Sequence, residues 1–502
     1  MGVVSTMDYT RTKQATGSWT SRLPARVLSF PALIAAALAA KAYWTCRRNI
    51  ADPDLGFHLL DGQYILIHGR LPATDTYSFT AAGSPWLDHA WLPEVLYYLA
   101  HRALGWQGVF VVLAASAVIL YIGIFLLCRK ETEDPLAAGI ATIFGGLLAA
   151  VTFTPRTQNI GWLCFLAVFA ILFRFRATRR GPLWLVPPLF CLWINCHGMW
   201  PFGMVVFAII LASGFIPRDL GRLQAAPWTS AERKNLLGVF AASVAALFLN
   251  PFGYRLVFLP VHVALRQQMV VTVRLVEEWA SVDFNDSRGV LVMAVLAGVF
   301  LAALFQRRRW KIDEAALTLL VLYLGLTHIR FLVLAGIVLP PILAPQFGKI
   351  STYDPAHERR GLNGALLAVP LAVLVLGFPS ERFLEAQIEA YFPEGAIRYL
   401  KAHPQSGKMF NCNEWGGYME WVLPGIRTFI DSREELFESK GVLADYVAVT
   451  SLNQSEELLD RYQISYLVYP AEAPLCYLLS KNSAWERIYL DHQAVIYRRA
   501  LR

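Results

Sequence analysis

Long apolar runs recur over the first three quarters of the chain, separated by short polar segments. A membrane-spanning helix needs roughly 17–25 mostly apolar residues. About eleven runs meet or approach that length, at 27–46, 107–128, 136–154, 158–175, 182–196, 198–216, 235–250, 289–306, 315–328, 329–346 and 362–378. The pattern therefore predicts an α-helical polytopic membrane protein whose transmembrane domain covers residues 27–378.

The pattern changes after about residue 379, where charged residues become frequent. Apolar positions there predict strands at Arg427–Ile430 and Ser465–Tyr469 and a helix at Ser455–Tyr462. We therefore expect a small soluble α/β domain over residues 379–502.

Composition agrees with a membrane protein. Hydrophobic residues make up 56% of the chain and charged residues 16%, against about 45–50% and about 25% in soluble domains. These values exclude a disordered chain, a disulfide-rich module and a coiled coil. They also argue against a wholly soluble enzyme, because one core cannot hide so much apolar surface.

The basic residues predict the orientation in the membrane. The net charge is +8, but Lys and Arg form short clusters between apolar runs, so we expect no nucleic-acid partner. If the N-terminal segment 1–26 is cytoplasmic, it and the cytoplasmic connections contain 21 Lys or Arg, whereas the long external loops 47–105 and 251–287 contain seven. This asymmetry favours that orientation. An odd number of spans then places residues 379–502 outside the cytoplasm.

The first external loop carries the most unusual residues. Asp52 and Asp54 follow the first apolar run directly, and Pro53 keeps Asp52 extended. An amphipathic pattern begins at Asp54 and predicts an interfacial helix. The two carboxylates have two interpretations. They cap that helix, or they act at the membrane surface, one as a general base and both as ligands for a divalent cation such as Mg²⁺ or Mn²⁺.

Other polar residues fall at the same predicted level of the membrane. They are His89, Glu94, Arg156, His197 and Arg330. Each one alone is typical of a loop or of a snorkelling side chain. However, an arginine that interrupts an apolar run is costly unless it pairs or faces a watery cavity. Their convergence predicts a polar chamber on the outer face.

Four segments carry a resemblance to a known group. They are 52–102, Pro155-Arg156, Trp193–Gly198 and Leu249–Gly253. Together with the many spans, they resemble bacterial membrane proteins placed near the GT-C superfamily, whose members are integral-membrane glycosyltransferases that use lipid-phosphate-linked sugars. The resemblance implies a GT-C-like fold in the bacterial inner membrane and a role in the cell envelope.

A second likeness is to the catalytic subunit of oligosaccharyltransferase, which has a similar acid-rich first loop. Its C-terminal WWDYG motif is similar to Asn413–Tyr418, which precedes Arg427–Arg433 here. The aspartate of that motif has no counterpart, because Trp415 or Gly416 takes its place. Recognition of an Asn-x-Ser/Thr acceptor is therefore not supported.

These features together lead to a functional hypothesis. The resemblance implies a glycosyltransferase that moves a sugar from a polyprenyl-phosphate donor to an acceptor on the outer face. Asp54 would be the base, Asp52 would orient it or share a metal ion with it, and cations would stabilise the departing phosphate. The residues expected to bind substrates are Arg156, His197, Arg330, His89, Glu94, Trp415 and Tyr418.

Two non-enzymatic alternatives stay open, a transporter of a lipid-linked substrate and an assembly or scaffold protein. A transporter should hold charges at mid-membrane. The predicted spans keep theirs at the ends, which favours chemistry at a surface.

Overall fold

The structure, a computed structural model, describes residues 27–265, 271, 276–305 and 308–500. The predicted cytoplasmic segment 1–26 lies outside the described residues. The helices of the first part of the chain are α1 Phe30–Cys46, α2 Leu55–His68, α3 Trp91–Glu131, α4 Pro135–Ala149, α5 Gln158–Thr178, α6 Val186–Ile194, α7 Trp200–Ser213, α8 Ser230–Ala246, α9 Tyr254–Leu265, α10 Ser287–Phe305, α11 Ile312–Thr327, α12 Leu332–Leu343 and α13 Arg360–Leu376.

Several of these helices could cross a membrane. Among the described residues, five helical segments are long and apolar enough: Trp91–Glu131, Pro135–Thr152, Gln158–Thr178, Ser287–Phe305 and Ile329–Phe347. A sixth counts if Arg360–Leu376 and Glu381–Tyr391, which meet at a bend of 63°, form one span. Shorter apolar helices are Phe30–Cys46, Leu183–Ile194 and Trp200–Ser213. These helices are those of a multi-pass membrane protein, while the total of about eleven spans stays a prediction.

The segment predicted as the first external loop, residues 47–105, is about half helical. It contains α2 and the first part of α3, which is broken at Gly105, where φ is 62°. Such a φ favours glycine because it lacks a Cβ atom. The carboxylate of Glu381 caps the second part of α3 by accepting hydrogen bonds from the backbone N–H groups of Trp106 and Gln107. The predicted span at 107–128 therefore begins directly after this break.

The C-terminal region, residues 379–500, mixes helices with one sheet. Its helices are α14 Glu381–Tyr391, α15 Glu394–Ala402, α16 Asn413–Val422, α17 Glu434–Glu438, α18 Val442–Thr450, α19 Ser455–Arg461 and α20 Pro474–Ser480. Its strands are β1 Lys408–Asn411, β2 Ile464–Pro470, β3 Trp485–Leu490 and β4 Ala494–Arg499. The sheet order is β1-β2-β4-β3, with β1 parallel to β2 and the other two pairs antiparallel.

Two of the three elements predicted for this region are confirmed, the helix that begins at Ser455 and the strand that contains 465–469. The strand predicted at Arg427–Ile430 is wrong. Only Thr428 forms an isolated bridge there, to Ser78 of the first loop. The backbone of Thr428 accepts a hydrogen bond from Phe79 at 3.0 Å. This segment therefore joins the C-terminal region to the first loop instead of extending the sheet.

Helix α2 is packed between other elements and is not free on a membrane surface. Its residues from Leu55 to Leu59 are buried, and it contacts both α3 and α16. Gly56 lies against the backbone of Gly417, so a Cβ atom at position 56 would overlap the carbonyl group. This close approach holds the start of α2, and the acids just before it, against the C-terminal region.

Candidate active site

A cavity of about 840 Å³ lies between the ends of the membrane helices and the C-terminal region. Seven of the nine residues singled out from the sequence line it: Asp52, Asp54, His89, Glu94, Arg156, His197 and Arg330. Trp415 and Tyr418 do not line it. The C-terminal region contributes its own wall, which includes Tyr391, Asn413, Glu414, Ser432, Arg433, Glu434, Glu435, Tyr446 and Tyr469.

Arg156 joins three carboxylates at one side of the cavity. Its Nε atom donates a hydrogen bond to Asp52 Oδ2 at 2.7 Å and lies 3.3 Å from Asp54 Oδ2. One of its terminal nitrogens donates to Glu278 Oε1 at 2.7 Å. Burial alone would lower the pKa of Arg156, but these three acids raise it well above its usual value. Arg156 is therefore a permanent cation whose charge is already balanced.

Asp52 and Asp54 differ in exposure. The side chain of Asp52 is 1% exposed, and burial raises its pKa even though Arg156 opposes that effect. The side chain of Asp54 is 23% exposed. Asp54 occupies the N-cap position of α2 but makes no side-chain capping hydrogen bond, which removes the main support for a purely capping role. Asp54 is therefore the acid of the pair that a substrate can reach.

Arg330 is the cation in the cavity that lacks a carboxylate partner. Its guanidinium carbon lies 4.4 Å from the ring centroid of Trp279, a cation–π contact. Its Nε atom is buried without a hydrogen-bond partner, and no described carboxylate forms an ion pair with it. Arg330 can therefore bind an anion without first breaking an ion pair to a described carboxylate.

His89 and His197 lie next to each other, with ring centroids 5.4 Å apart in an edge-on arrangement. In each ring the Nδ1 atom has no partner within the described part of the chain. Burial, and after it the neighbouring His89 and Arg330, lower the pKa of His197 well below its usual value. Burial also lowers the pKa of His89. Both rings are thus neutral at pH 7 and offer hydrogen bonds but no positive charge.

A second group of acids lies deeper in the same part of the molecule. Asp61, Asp88 and Glu94, here called the buried acidic cluster, each place one carboxylate oxygen within 4.8 Å of the others. Each residue is at most 1% exposed. His58 Nδ1 lies 2.8 Å from Glu94 Oε1. Burial, and then the charges of Glu94 and Asp61, raise the pKa of Asp88 well above its usual value. The cluster was missed in the sequence because its members are spread over 34 positions.

The two acid groups differ in how well they suit a divalent cation. The sequence predicted a metal site at Asp52 and Asp54, but Arg156 lies against both carboxylates and would repel a second cation. In the buried acidic cluster, Asp88 Oδ2 and Glu94 Oε2 have no hydrogen-bond partner among the described residues. Carboxylate oxygens are the ligands that Mg²⁺ and Mn²⁺ prefer. The cluster is therefore the better fit.

Arg433 connects the C-terminal region to the first loop and was not singled out from the sequence as a site residue. Its side chain is fully buried and lies 2.6 Å from carboxylate oxygens of both Asp75 and Asp431. Its guanidinium also lies over the ring of Trp86, at 5.1 Å. The sequence feature that could have indicated this residue is the charged segment Asp431-Ser432-Arg433, which directly follows the apolar residues Phe429 and Ile430. Arg433 fixes the loop that carries the buried acidic cluster.

Trp415 and Tyr418 lie in the packed interior. Tyr418 stacks on Phe392 with ring centroids 4.1 Å apart, and its hydroxyl donates a hydrogen bond to Glu394. Trp415 is 5% exposed and belongs to the hydrophobic core. Asn413, at the start of the same helix, lines the cavity instead.

Comparisons with known proteins agree with this arrangement at the level of fold. No protein-family model matches the sequence, and no curated protein sequence matches it. The fold is similar to that of the apo oligosaccharyltransferase of Archaeoglobus fulgidus, with 13% identity, a TM-score of 0.55, and coverage of 96% of this chain and 75% of that one. It is also similar to ArnT from Cupriavidus metallidurans bound to undecaprenyl phosphate, with 12% identity, a TM-score of 0.52, and coverage of 93% and 97%. The GT-C-like fold implied by the sequence is confirmed.

Proposed function

We propose that the chain is a membrane glycosyltransferase that moves a sugar from a polyprenyl-phosphate-linked donor to an acceptor hydroxyl. The observation that carries the proposal is the shared cavity of Asp54, an accessible carboxylate, and Arg330, a cation without a carboxylate partner. The GT-C-like fold supports it, as does the undecaprenyl phosphate bound by the similar ArnT. In this proposal the cavity faces away from the cytoplasm in a bacterial inner membrane, with the N-terminus on the cytoplasmic side.

The donor phosphate binds at Arg330. Arg156 is a poorer partner because three carboxylates already surround it. His89 and His197 add hydrogen bonds from neutral rings. Negative charge grows on the phosphate oxygen as the bond to the sugar breaks, and a fixed guanidinium stabilises that charge.

Asp54 acts as the general base. It accepts the proton of the acceptor hydroxyl while the hydroxyl oxygen attacks the anomeric carbon and the bond from that carbon to the phosphate oxygen breaks. Arg156 holds both Asp54 and Asp52 in place. If the reaction uses Mg²⁺ or Mn²⁺, the buried acidic cluster is the set of described side chains that would hold it, and the ion would supply positive charge near α2.

A substitution series at Arg330 tests the proposal. Lysine keeps the charge but loses the planar fork of the guanidinium, and alanine loses both. We expect farnesyl phosphate to bind the purified full chain in the order wild type, Arg330→Lys, Arg330→Ala, with alanine at least about tenfold weaker, since hydrogen bonds to charged groups contribute about 1.5–3 kcal/mol. Arg309→Ala is the matched control, because Arg309 is half exposed and pairs with Asp219. Equal affinity in the wild type and both Arg330 variants would contradict the phosphate site.

A transporter or a scaffold would behave differently after a change at Asp54. A scaffold, or a transporter that is not coupled to protons, needs no proton acceptor, so Asp54→Asn should leave transport or assembly intact. A chain that keeps its cellular role with asparagine at position 54 would favour these alternatives.

A further inference from the structure

The cavity wall formed by the C-terminal region differs from the opposite wall in its basic residues. Glu414, Glu434 and Glu435 all line the cavity on this side. The basic residue among the described lining residues of this wall is Arg433, and its charge is balanced by Asp75 and Asp431. Both walls contain acids, but among the described lining residues only the opposite wall holds a cation without a carboxylate partner, Arg330.

Two buried polar atoms on this wall lack partners. Ser432 is 8% exposed, and its hydroxyl oxygen makes no hydrogen bond to any described residue. Asn413 donates its side-chain N–H to Glu434 Oε1 at 3.3 Å, but its Oδ1 atom is buried and unpartnered within the described ranges. Leaving a buried donor or acceptor unpaired costs about 1–3 kcal/mol. Such groups indicate a ligand that both donates and accepts hydrogen bonds at this place.

Aromatic rings stand beside these polar atoms. The hydroxyls of Tyr446 and Tyr469 lie 3.1 Å apart, and both residues line the cavity. The hydroxyl of Tyr391 donates to Glu414 Oε2 at 3.2 Å. Tyrosine combines an apolar face with a polar edge, so it suits a ligand whose C–H groups and hydroxyls alternate.

Glu434 links this wall to the proposed base. Burial, and after it the negative charge of Asp54, raise the pKa of Glu434 well above its usual value. A carboxyl group that keeps its proton can donate as well as accept a hydrogen bond. An acceptor hydroxyl that lies near Asp54 would therefore find a second hydrogen-bonding group on the opposite side of the cavity.

We propose that the wall formed by Asn413, Glu414, Ser432, Glu434 and Glu435 binds the acceptor and selects an uncharged, hydroxyl-rich molecule, a saccharide or polyol. This inference rests on the proposed glycosyltransferase function and deepens it. The exposed carboxylates of Glu414 and Glu435 accept hydrogen bonds from hydroxyls and repel other carboxylates and phosphates, and like charges placed together cost several kcal/mol. The two walls thus divide the substrates: the anionic donor binds beside Arg330 and the uncharged acceptor beside the glutamates.

Binding to an array of immobilised oligosaccharides tests this selection. The array pairs each uncharged oligosaccharide with a copy that carries a uronate or phosphate at one position, and it is probed with the purified, labelled full chain. Four variants are compared with the wild type: Ser432→Ala, Glu434→Ala, the double variant Glu414→Lys/Glu435→Lys, and the control Glu457→Lys. Glu414, Glu435 and Glu457 are exposed, so their replacement should leave folding intact even if Glu434→Ala does not.

We expect the wild type and the control to bind uncharged members and to bind their acidic copies at least about tenfold more weakly, the ratio that 1.4 kcal/mol of repulsion gives. Ser432→Ala and Glu434→Ala should weaken binding of the uncharged members by about threefold to tenfold. The double lysine variant should remove or reverse the discrimination. The proposal is overturned if acidic members bind as well as uncharged ones, if no oligosaccharide binds, or if the double variant discriminates as the wild type does.

Farnesyl phosphate binding to the same preparations separates this inference from the proposed function. If farnesyl phosphate binds at Arg330 but acidic oligosaccharides are preferred, the acceptor wall is wrong and the glycosyltransferase proposal stands. If neither class of ligand binds the wild type, both proposals fail.

Discussion

Two groups of acids lie beside the cavity, and they differ in what balances their charge. Asp52 and Asp54 share the guanidinium of Arg156, at 2.7 and 3.3 Å. In the buried acidic cluster of Asp61, Asp88 and Glu94, the described ion pairs include only His58, which is 2.8 Å from Glu94. Exposure differs as well, because Asp54 is 23% exposed while every member of the cluster is at most 1% exposed.

The difference suggests separate roles for the two groups. Asp54 is accessible to a hydroxyl and is held in place by the Arg156 guanidinium, so it suits a base. Buried acids without a cation hold protons or a metal ion, because several bare charges in a dry site are strongly unfavourable. The cluster therefore suits metal binding or a structural role below the reaction site.

The largest effect is expected when the balancing cation is removed. Arg156→Met leaves the buried Asp52 beside Asp54 without a partner, and breaking such a pair costs about 3–5 kcal/mol. Thermal unfolding of the purified chain should show this loss. Arg498→Met is the control, because its pair with Glu486 is exposed and such pairs contribute about 0–1 kcal/mol. Similar unfolding of the two variants would mean that Arg156 does not hold the acids together.

The next effect concerns catalysis. Asp54→Asn keeps the size of the side chain but cannot accept a proton, so we expect sugar transfer to fall roughly 10²-fold or more. The amount of folded protein should stay near that of the wild type, because Asp54 makes no capping hydrogen bond. Asp52→Asn should have a milder effect. Transfer is measured as labelled sugar moved from membrane polyprenyl phosphates, and full activity of Asp54→Asn would show that another group is the base.

Metal binding distinguishes the two groups directly. We expect Mn²⁺, followed by electron paramagnetic resonance, to bind the wild type and Asp54→Asn similarly. Asp88→Asn should bind at least about tenfold more weakly, since even the loss of outer-shell partners costs 10–100-fold. The reverse pattern would return the metal site to Asp52 and Asp54, as the sequence suggested.

The smallest effect is a change in the pH dependence of stability. The pKa of Asp88 is raised in the folded chain, mainly by burial, so the folded state binds more protons than the unfolded state above the ordinary aspartate pKa. Stability from this group is present at low pH and is lost as pH rises through the folded pKa. In EDTA, Asp88→Asn should therefore melt a few degrees higher than the wild type at pH 8.5, with a smaller difference at pH 5. No gain at high pH would show that Asp88 is not held protonated.

Part of the cavity lining could be predicted from the sequence. The lengths of the apolar runs placed four lining residues near the same predicted face of the membrane. These residues are Asp54, Arg156, His197 and Arg330. The GT-C-like fold could likewise be predicted, from the resemblance of motifs near the ends of these apolar runs. The span count and orientation stay predictions.

The contribution of the C-terminal region could not be predicted in the same way. Arg433 pairs with Asp75 across 358 positions, and no spacing along the chain indicates such a contact. Trp415 and Tyr418 have the residue types expected at a binding site, but packing of α16 against α2 places them in the core. The predicted strand at 427–430 pairs with the first loop instead, which periodicity alone does not reveal.

A structure of the full chain in a lipid nanodisc with undecaprenyl phosphate, solved by electron cryo-microscopy, tests the central claim most directly. The account predicts that the phosphate lies beside the Arg330 guanidinium, inside the cavity that also contains Asp54, with the lipid tail leaving between membrane helices. A phosphate bound outside that cavity would contradict it.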